Sequence, residues 1–258
     1  MSQLTEQEPG LLRESSVDYR DPEKGRAVRT MFAGIAHCYD RLNHILSFNR
    51  DKAWRRIAVK MTTVPAGARI LDVCCGTGDM ALAYYAGGIK SGGQPATISG
   101  ADFTPEMLAI ARPKSERVRA GIAWLAADTL QLPFPSNHFD VCSVAFGIRN
   151  VQDVSAGIAE MTRVLKPGGQ VVILEFTQPK GRLMQRLCRW YLTRMLPRIG
   201  HVLSRSKEKA YSYLPDSIAL FPGPDELKAI MEARGLKDVR FRLLTFGLVS
   251  VHIGTKRS

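Results

Sequence analysis

Ile70-Leu71-Asp72-Val73-Cys74-Cys75-Gly76-Thr77-Gly78-Asp79 is the stretch whose reading decides the fold. Its apolar opening predicts a buried strand, its two glycines a tight bend, and the acid at the end a helix start. A residue without Cβ lets a ligand come close to the main chain, and a helix N-terminus offers N–H groups that have no partner inside the helix. A nucleotide-like ligand is therefore expected at the carboxyl edge of a sheet.

Outward from this stretch, short apolar runs at residues 69–74, 97–102, 122–127, 139–146, 170–176, 239–245 and 248–255 alternate with helical patterns. The helical patterns begin near Asp79, Pro105, Val154 and Pro224. Alternation of this kind, with strands buried on both faces, predicts an α/β fold whose mostly parallel sheet is covered by helices. Only Phe246-Gly247 separates the last two runs, too short a link for a parallel crossover, so these two are expected to pair antiparallel. The Gly-rich residues 87–95 read as a surface loop. Upstream, apolar residues at helical spacing from Phe32 to Ile57 predict two helices within residues 27–61, with a break near 47–49. Residues 1–26 are polar and read as a flexible arm, leaving 27–258 as one domain.

At 258 residues and 45% hydrophobic, the chain is long enough for one substantial core. It has no apolar run of membrane-spanning length and no basic start followed by an apolar segment, so a cytoplasmic location is expected. The five cysteines (Cys38, Cys74, Cys75, Cys142, Cys188) lack paired metal spacing and read as reduced thiols, with neither metal nor disulfide. A net charge of +12 predicts attraction to anions without saying which.

Taken alone, Gly76-x-Gly78-x-x-Ala81 also satisfies the dinucleotide fingerprint, with Asp102 available to the ribose hydroxyls of NAD or of S-adenosylmethionine. Ala127-Asp128-Thr129 adds a carboxylate and a hydroxyl after the third strand, and Arg163-Val164-Leu165-Lys166-Pro167-Gly168-Gly169 turns a helix into the fifth. This order is similar to the class I methyltransferases. The resemblance implies a Rossmann-like sheet of seven strands, one of them antiparallel, with a helical insert after strand five. It also implies S-adenosyl-L-methionine as cofactor, bound through Asp72, Gly76, Thr77, Gly78, Asp102, Asp128 and Thr129. For any one of these acids, capping a helix or turn is the competing explanation. Cys74 stands where this fold often has glycine, so the bend is expected to begin one residue later.

Longer segments are more specific. Tyr39-Asp40-Arg41-Leu42-Asn43-His44-Ile45-Leu46-Ser47 with Trp54, residues 163–177, Phe146-Gly147-Ile148-Arg149-Asn150-Val151, and residues 213–222 resemble the menaquinone/ubiquinone biosynthesis C-methyltransferase family. The resemblance extends over roughly residues 27–256. Three positions depart from the family pattern: Leu42 replaces Met, Thr177 replaces Ser, and Asp51 replaces a histidine, which removes an imidazole.

The resemblance implies C-methylation of the reduced ring of a prenylated quinone, with demethylmenaquinol preferred. A benzoquinol of the ubiquinone pathway is the alternative, and a non-catalytic scaffold of a quinone-biosynthesis assembly is a further one. An activated methyl group needs a nucleophile held in line at ~3–3.5 Å and water kept out. Loss of a phenolic proton, pKa about 10, makes the ring carbon nucleophilic. Arg149, Asn150 and Tyr213 are the candidate catalytic residues, with Tyr211 and His201 beside them. Arg149 suits stabilising a phenolate, against a structural clamp as its competing role, and Asn150 suits orienting ring oxygens. Tyr39 and Asn43, one helical turn apart, are candidates for a pocket lid.

Within residues 180–215, Arg182, Arg186, Arg189, Arg194, Arg198, Arg205 and Lys207 interleave with Trp190, Tyr191 and a series of aliphatic residues. Such a basic amphipathic insert suits peripheral contact with an anionic membrane surface, or alternatively packing as a lid. No nucleic-acid-binding module accompanies it. Monomer and homodimer both remain open.

Overall fold

A computed structural model describes residues 24–91, 96–179 and 208–258, together with positions 181 and 186. The apolar runs form seven strands: β1 (Arg69–Val73), β2 (Thr97–Asp102), β3 (Ala123–Ala126), β4 (Phe139–Ala145), β5 (Leu165–Phe176), β6 (Leu236–Leu244) and β7 (Val249–Lys256). They make one sheet in the order β3-β2-β1-β4-β5-β7-β6. Pairing is parallel from β3 to β5, and β7 is antiparallel to both β5 and β6. The last two runs pair as their short link requires. β1 lies between β2 and β4, so successive crossovers leave it in opposite directions and open a crevice at the carboxyl ends of these strands.

Alternation along the central strands builds two cores. Leu71, Val73, Cys142, Val144, Val171 and Ile173 face one side, against α6 (Val154–Val164) and α8 (Pro224–Ala233). Ile70, Val141, Val172 and Leu174 face the other, against α3 (Arg50–Met61) and α4 (Asp79–Ser91). Each such fully buried aliphatic side chain contributes ~1.5–3 kcal/mol. The two edge strands are the exceptions to double burial: three of four residues of β3 and five of nine residues of β6 are exposed.

Several boundaries differ from expectation. The N-terminal region forms three helices, α1 (Lys24–Ile35), α2 (Tyr39–Leu46) and α3, because a 3-10 turn at Ala36–Cys38 interrupts the first pattern. The helix starts at Lys24, inside the span read as an arm; residues 1–23 lie outside the described residues. The break at 47–49 is present, with Phe48 and Asn49 in left-handed conformation. α4 runs through Gly87 and Gly88 to Ser91, where a loop was expected. Packing outweighs glycine's poor helix propensity here: a Cβ on Gly87 would stand 2.9 Å from Val59 Cγ1, so the bare backbone lets α4 close on α3. Lys166–Gly169, read as a turn, is taken into β5, with a register shift against β4.

The remaining described helices are α5 (Pro105–Arg117) and α7 (Glu208–Leu220). α7 crosses the expected end of the basic insert, and most of that insert lies outside the described residues. Cys38, Cys74, Cys75 and Cys142 are free thiols; Cys188 is outside the described residues. Among the described residues, no helix is long and apolar enough to cross a membrane.

Candidate active site

A cleft of about 1050 Å³, counting its open mouth, lies over the carboxyl ends of β1, β2 and β4 and the residues that follow β3. Its floor includes Cys74, Cys75, Gly76 and Thr77, its walls Asp102, Asp128, Thr129, Phe146 and Asn150, and its roof Val28 and Phe32 of α1 with Tyr39 of α2. The N-terminal helices thus cover a site built on the sheet.

The bend begins at Cys74 itself, whose φ is +48°, followed by Gly76 at +52° and Gly78 at +84°. A side chain in this region costs ~1–2 kcal/mol. Cys74 is held there by its Sγ, 3.2 Å from Thr129 Oγ1, and by Gly147, where a Cβ would come within 2.4 Å of Cys74 Cβ. The two glycines serve different ends. Gly76 lines the cleft, whereas Gly78 faces away from it, its absent Cβ lying 2.4 Å from Trp124 Cη2. Close packing on Trp124 is the reason for glycine at 78.

The three acids also divide. Asp72 is fully buried and accepts hydrogen bonds from Ala81 N–H (3.1 Å) in the first turn of α4 and from Ser143 Oγ (2.9 Å). Burial, only partly offset by these donors, pushes its carboxyl up to about 7. Asp102 accepts from Gly76 N–H (2.7 Å) with one oxygen and Thr104 N–H (2.8 Å) with the other, and its pKa is also raised by burial. Asp128 closes a turn by accepting from Leu130 N–H at 2.9 Å. All three fulfil the capping role, and all three still line the cleft.

A charged network ties the roof to the bend. Asp40 of α2 accepts from Thr77 Oγ1 and from Lys114 Nζ (2.7 Å), and Lys114 also reaches Asp79 at 2.5 Å. Burial pushes the Asp79 carboxyl up, but Arg55 and Lys114 outweigh it, leaving the pKa below the ordinary value. Asp51, the departure from the family pattern, accepts from His44 Nδ1 (2.9 Å), Ser47 Oγ (2.8 Å) and Arg55 Nη1 (2.6 Å). Among the described residues, His44, Asp51 and Asp79 are the group whose ligand atoms come within 4.8 Å of one another. Arg55 stands between the two acids, 2.6 Å and 3.6 Å away, and already supplies the positive charge.

Arg149 and Asn150, adjacent in sequence, point to different places. Arg149 is buried, its Nη1 2.7 Å from the fully buried Glu175 and 2.5 Å from the Phe146 carbonyl, with its guanidinium over the Phe176 ring. It is not among the cleft-lining residues, and its geometry is that of the clamp. Asn150 does line the cleft, and its Oδ1 is buried without a hydrogen-bond partner. Tyr39 is also cleft-lining, and burial raises its hydroxyl pKa despite the nearby Arg149. Tyr213 is half-buried in α7 and outside the cleft lining. The side chain of Tyr211 and the whole of His201 lie outside the described residues.

A model of the ubiE/COQ5 methyltransferase family matches residues 20–256. The chain belongs to this family. A Geobacter sulfurreducens relative, ubiquinone/menaquinone biosynthesis C-methyltransferase UbiE, is 44% identical over 92% of this chain and 91% of its own. A Thermus thermophilus demethylmenaquinone methyltransferase is 45% identical over 88% of this chain and its own full length. Among solved structures, a Thermotoga maritima S-adenosylmethionine-dependent methyltransferase aligns with a TM-score of 0.62 over 89% of this chain and all of its own, at 20% identity. That likeness supports the Rossmann-like fold alone.

This ubiE/COQ5-family methyltransferase also pairs residues around the cleft in ways that its sequence motifs did not announce. Lys114 is 74 positions from Asp40, and Glu175 is 26 from Arg149. Nothing in either local pattern pairs them. Arg55 was within reach of sequence reasoning, since it follows Asp51 by one helical turn.

Proposed function

We propose that the cleft binds S-adenosylmethionine and that the protein methylates the reduced ring of a prenylated quinone, demethylmenaquinol before others. The buried, unpartnered acceptor Asn150 Oδ1 in the cleft wall carries the proposal. An orphaned buried acceptor costs ~1–3 kcal/mol unless a ligand supplies a donor. A quinol has such a hydroxyl; the oxidised quinone has none.

The cofactor fits the residues present. Asp102 and Asp128 offer carboxylate acceptors to ribose hydroxyls and an adenine amine, Phe103, Met107 and Leu130 supply apolar walls, and Gly76 keeps the bend open. Bound there, S-adenosylmethionine supplies a methyl group that needs no further activation. The protein's own part is orientation. Asn150 holds a ring hydroxyl, Arg149 anchors the turn that carries Asn150 by gripping Glu175 and the Phe146 carbonyl, and α1 and α2 exclude water. Arg149 is thus a positioning residue, and a ring carbon that gains the methyl releases its hydrogen as a proton.

Relatives are named for ubiquinone as well as menaquinone synthesis, so a benzoquinol is the second reading. Both reduced rings, presented to the purified protein with S-adenosylmethionine and followed by product mass, separate the two. Asn150→Leu should lower kcat at least tenfold while cofactor binding stays within twofold, the loss of about 1.4 kcal/mol expected for a hydrogen bond. Methylation of neither ring refutes the proposal. The prenyl tail further implies work at a membrane surface on the cytoplasmic side.

A further inference from the structure

Phe48 and Phe246 are the most exposed large apolar side chains among the described residues, at 77% and 81%, against 56% for the next, Leu220. Each sits in a turn with φ above +50°, a conformation that disfavours bulky side chains. The chain thus accepts backbone strain and bare hydrocarbon together at two places, 198 residues apart, and the topology brings those places to one end of the molecule.

α3 starts at the cleft end, where Asp51 and Arg55 meet the acid that opens α4. It finishes at the far end, where Thr63 N–H donates to Gln170 Oε1 near the beginning of β5. Phe48, two residues before α3, therefore stands at the cleft end. β6 runs parallel to β5, since both are antiparallel to β7, so the β6–β7 turn that carries Phe246 also lies there. Trp54 Nε1–H donates to Thr245 Oγ1 at 2.8 Å and ties the two turns together. From this tie a wall of rings leads inward: Trp54 to Phe146 at 5.9 Å, and Phe146 to Phe176 at 4.8 Å, with Phe146 lining the cleft.

Among the described residues that flank the two turns in sequence, the fully exposed charges have one sign: Arg41, Arg50 and Lys52 on either side of Phe48, and Arg242 ahead of Phe246 on β6, whereas Asp51 is buried and paired. Aromatic rings protruding from a cationic rim match the interface of an anionic bilayer, apolar below and phosphate above.

We propose that Phe48 and Phe246 form a membrane-docking rim: both rings enter the interface of an anionic bilayer while the four cations meet its headgroups. The rim turns the cleft mouth toward the layer that retains the tail of a prenylated quinol, and in this it rests on the quinol reading. No contact with the basic insert is needed.

Sedimentation of the full chain with phosphatidylcholine vesicles containing phosphatidylglycerol, against phosphatidylcholine alone, tests the rim at low salt. The wild type should partition to the anionic vesicles. Phe48→Ser and Phe246→Ser should each weaken partition about tenfold, and the double variant about a hundredfold, the loss expected for withdrawing buried aromatic rings. Val118→Ser, exposed at the opposite end of α5, should change nothing. Turnover of a short-tailed, water-soluble quinol should be unaltered in the double variant, while turnover of a long-tailed quinol in vesicles falls. Should a serine variant fail to fold, Phe246→Trp supplies a second measurement: its added emission should shift to the blue on anionic vesicles.

Undiminished partition of the double variant, absence of wild-type partition, or no blue shift each overturns the rim. A change in oligomeric mass on mutation, in place of a change in partition, assigns these rings to a second copy and also overturns it. Ring-dependent partition with no quinol methylated leaves the rim standing and refutes the substrate instead.

Discussion

Gly78→Ala isolates the close packing of the glycine bend on Trp124. At φ +84°, alanine costs ~1 kcal/mol, offset by roughly 0.5 kcal/mol of reduced freedom in the unfolded chain. The added methyl would lie 2.4 Å from Trp124 Cη2 and 3.1 Å from two further ring carbons. Trp124 is tied in place by its Nε1–H, which donates to Ser115 Oγ at 3.1 Å, and the same part of its ring also packs on Gly100, where a Cβ would be 2.3 Å from Cζ3. Overpacking of this kind costs about 1–3 kcal/mol. The total of about 1.5–3.5 kcal/mol corresponds to a melting temperature lower by roughly 3–14 °C for a chain of this size. Urea unfolding followed by circular dichroism should be run on the wild type, Gly78→Ala, Trp124→Leu and the double variant. Removing the ring relieves the clash, so the two changes should be non-additive by at least about 1 kcal/mol. A Gly78→Ala protein within about 0.5 kcal/mol of wild type, or a strictly additive cycle, refutes the packing explanation.

Other perturbations probe the remaining parts of the site. Asp102→Ala leaves the Gly76 and Thr104 N–H groups without their carboxylate and should weaken S-adenosylmethionine binding by roughly 10–100-fold in calorimetry, the range for a charged hydrogen bond. Arg149→Met strands the fully buried Glu175 and should destabilise the fold by about 3–5 kcal/mol, whereas Arg149→Met with Glu175→Gln should recover much of this in chemical denaturation. His252, buried against Phe241 and donating to the Pro224 carbonyl at 2.9 Å, has its pKa lowered by burial to about 4 from 6.5. A depressed histidine contributes stability that is present above pH 6.5 and lost as pH falls toward 4. On the order of 3 kcal/mol should disappear across that window, and His252→Gln should abolish this component in unfolding curves. Asp72 has the opposite sign: its raised pKa favours the fold at low pH, and that contribution declines as pH rises from about 4 to about 7.

Much of the architecture was legible from residue patterns. The order of strands and helices, the antiparallel final pair and the helix starts at Asp79, Pro105, Val154 and Pro224 all follow from periodicity and from link length, which are local properties. The presence of the glycine bend after β1 was legible too, because glycine spacing after an apolar strand is a contiguous signal, although the bend opens at Cys74, one residue earlier than expected. Gly87 misled because propensity is local and the contact with Val59 that overrides it is not. The exposed face of β3 was unreadable for the same reason: edge position depends on strand order.

The sequence by itself determined that the acids at or just beyond the carboxyl ends of the strands gather around the crevice, since parallel strands end on one side, but Gly78, Arg149 and Tyr213, also expected there, lie outside its lining. Tertiary structure alone decided what each does there. It turned Arg149 inward to Glu175, left Asn150 facing the cleft with an acceptor unsatisfied, assigned Gly78 to Trp124, and brought Phe48 and Phe246 to one rim. Side-chain direction and distant pairing depend on three-dimensional neighbours, and a linear pattern records neither.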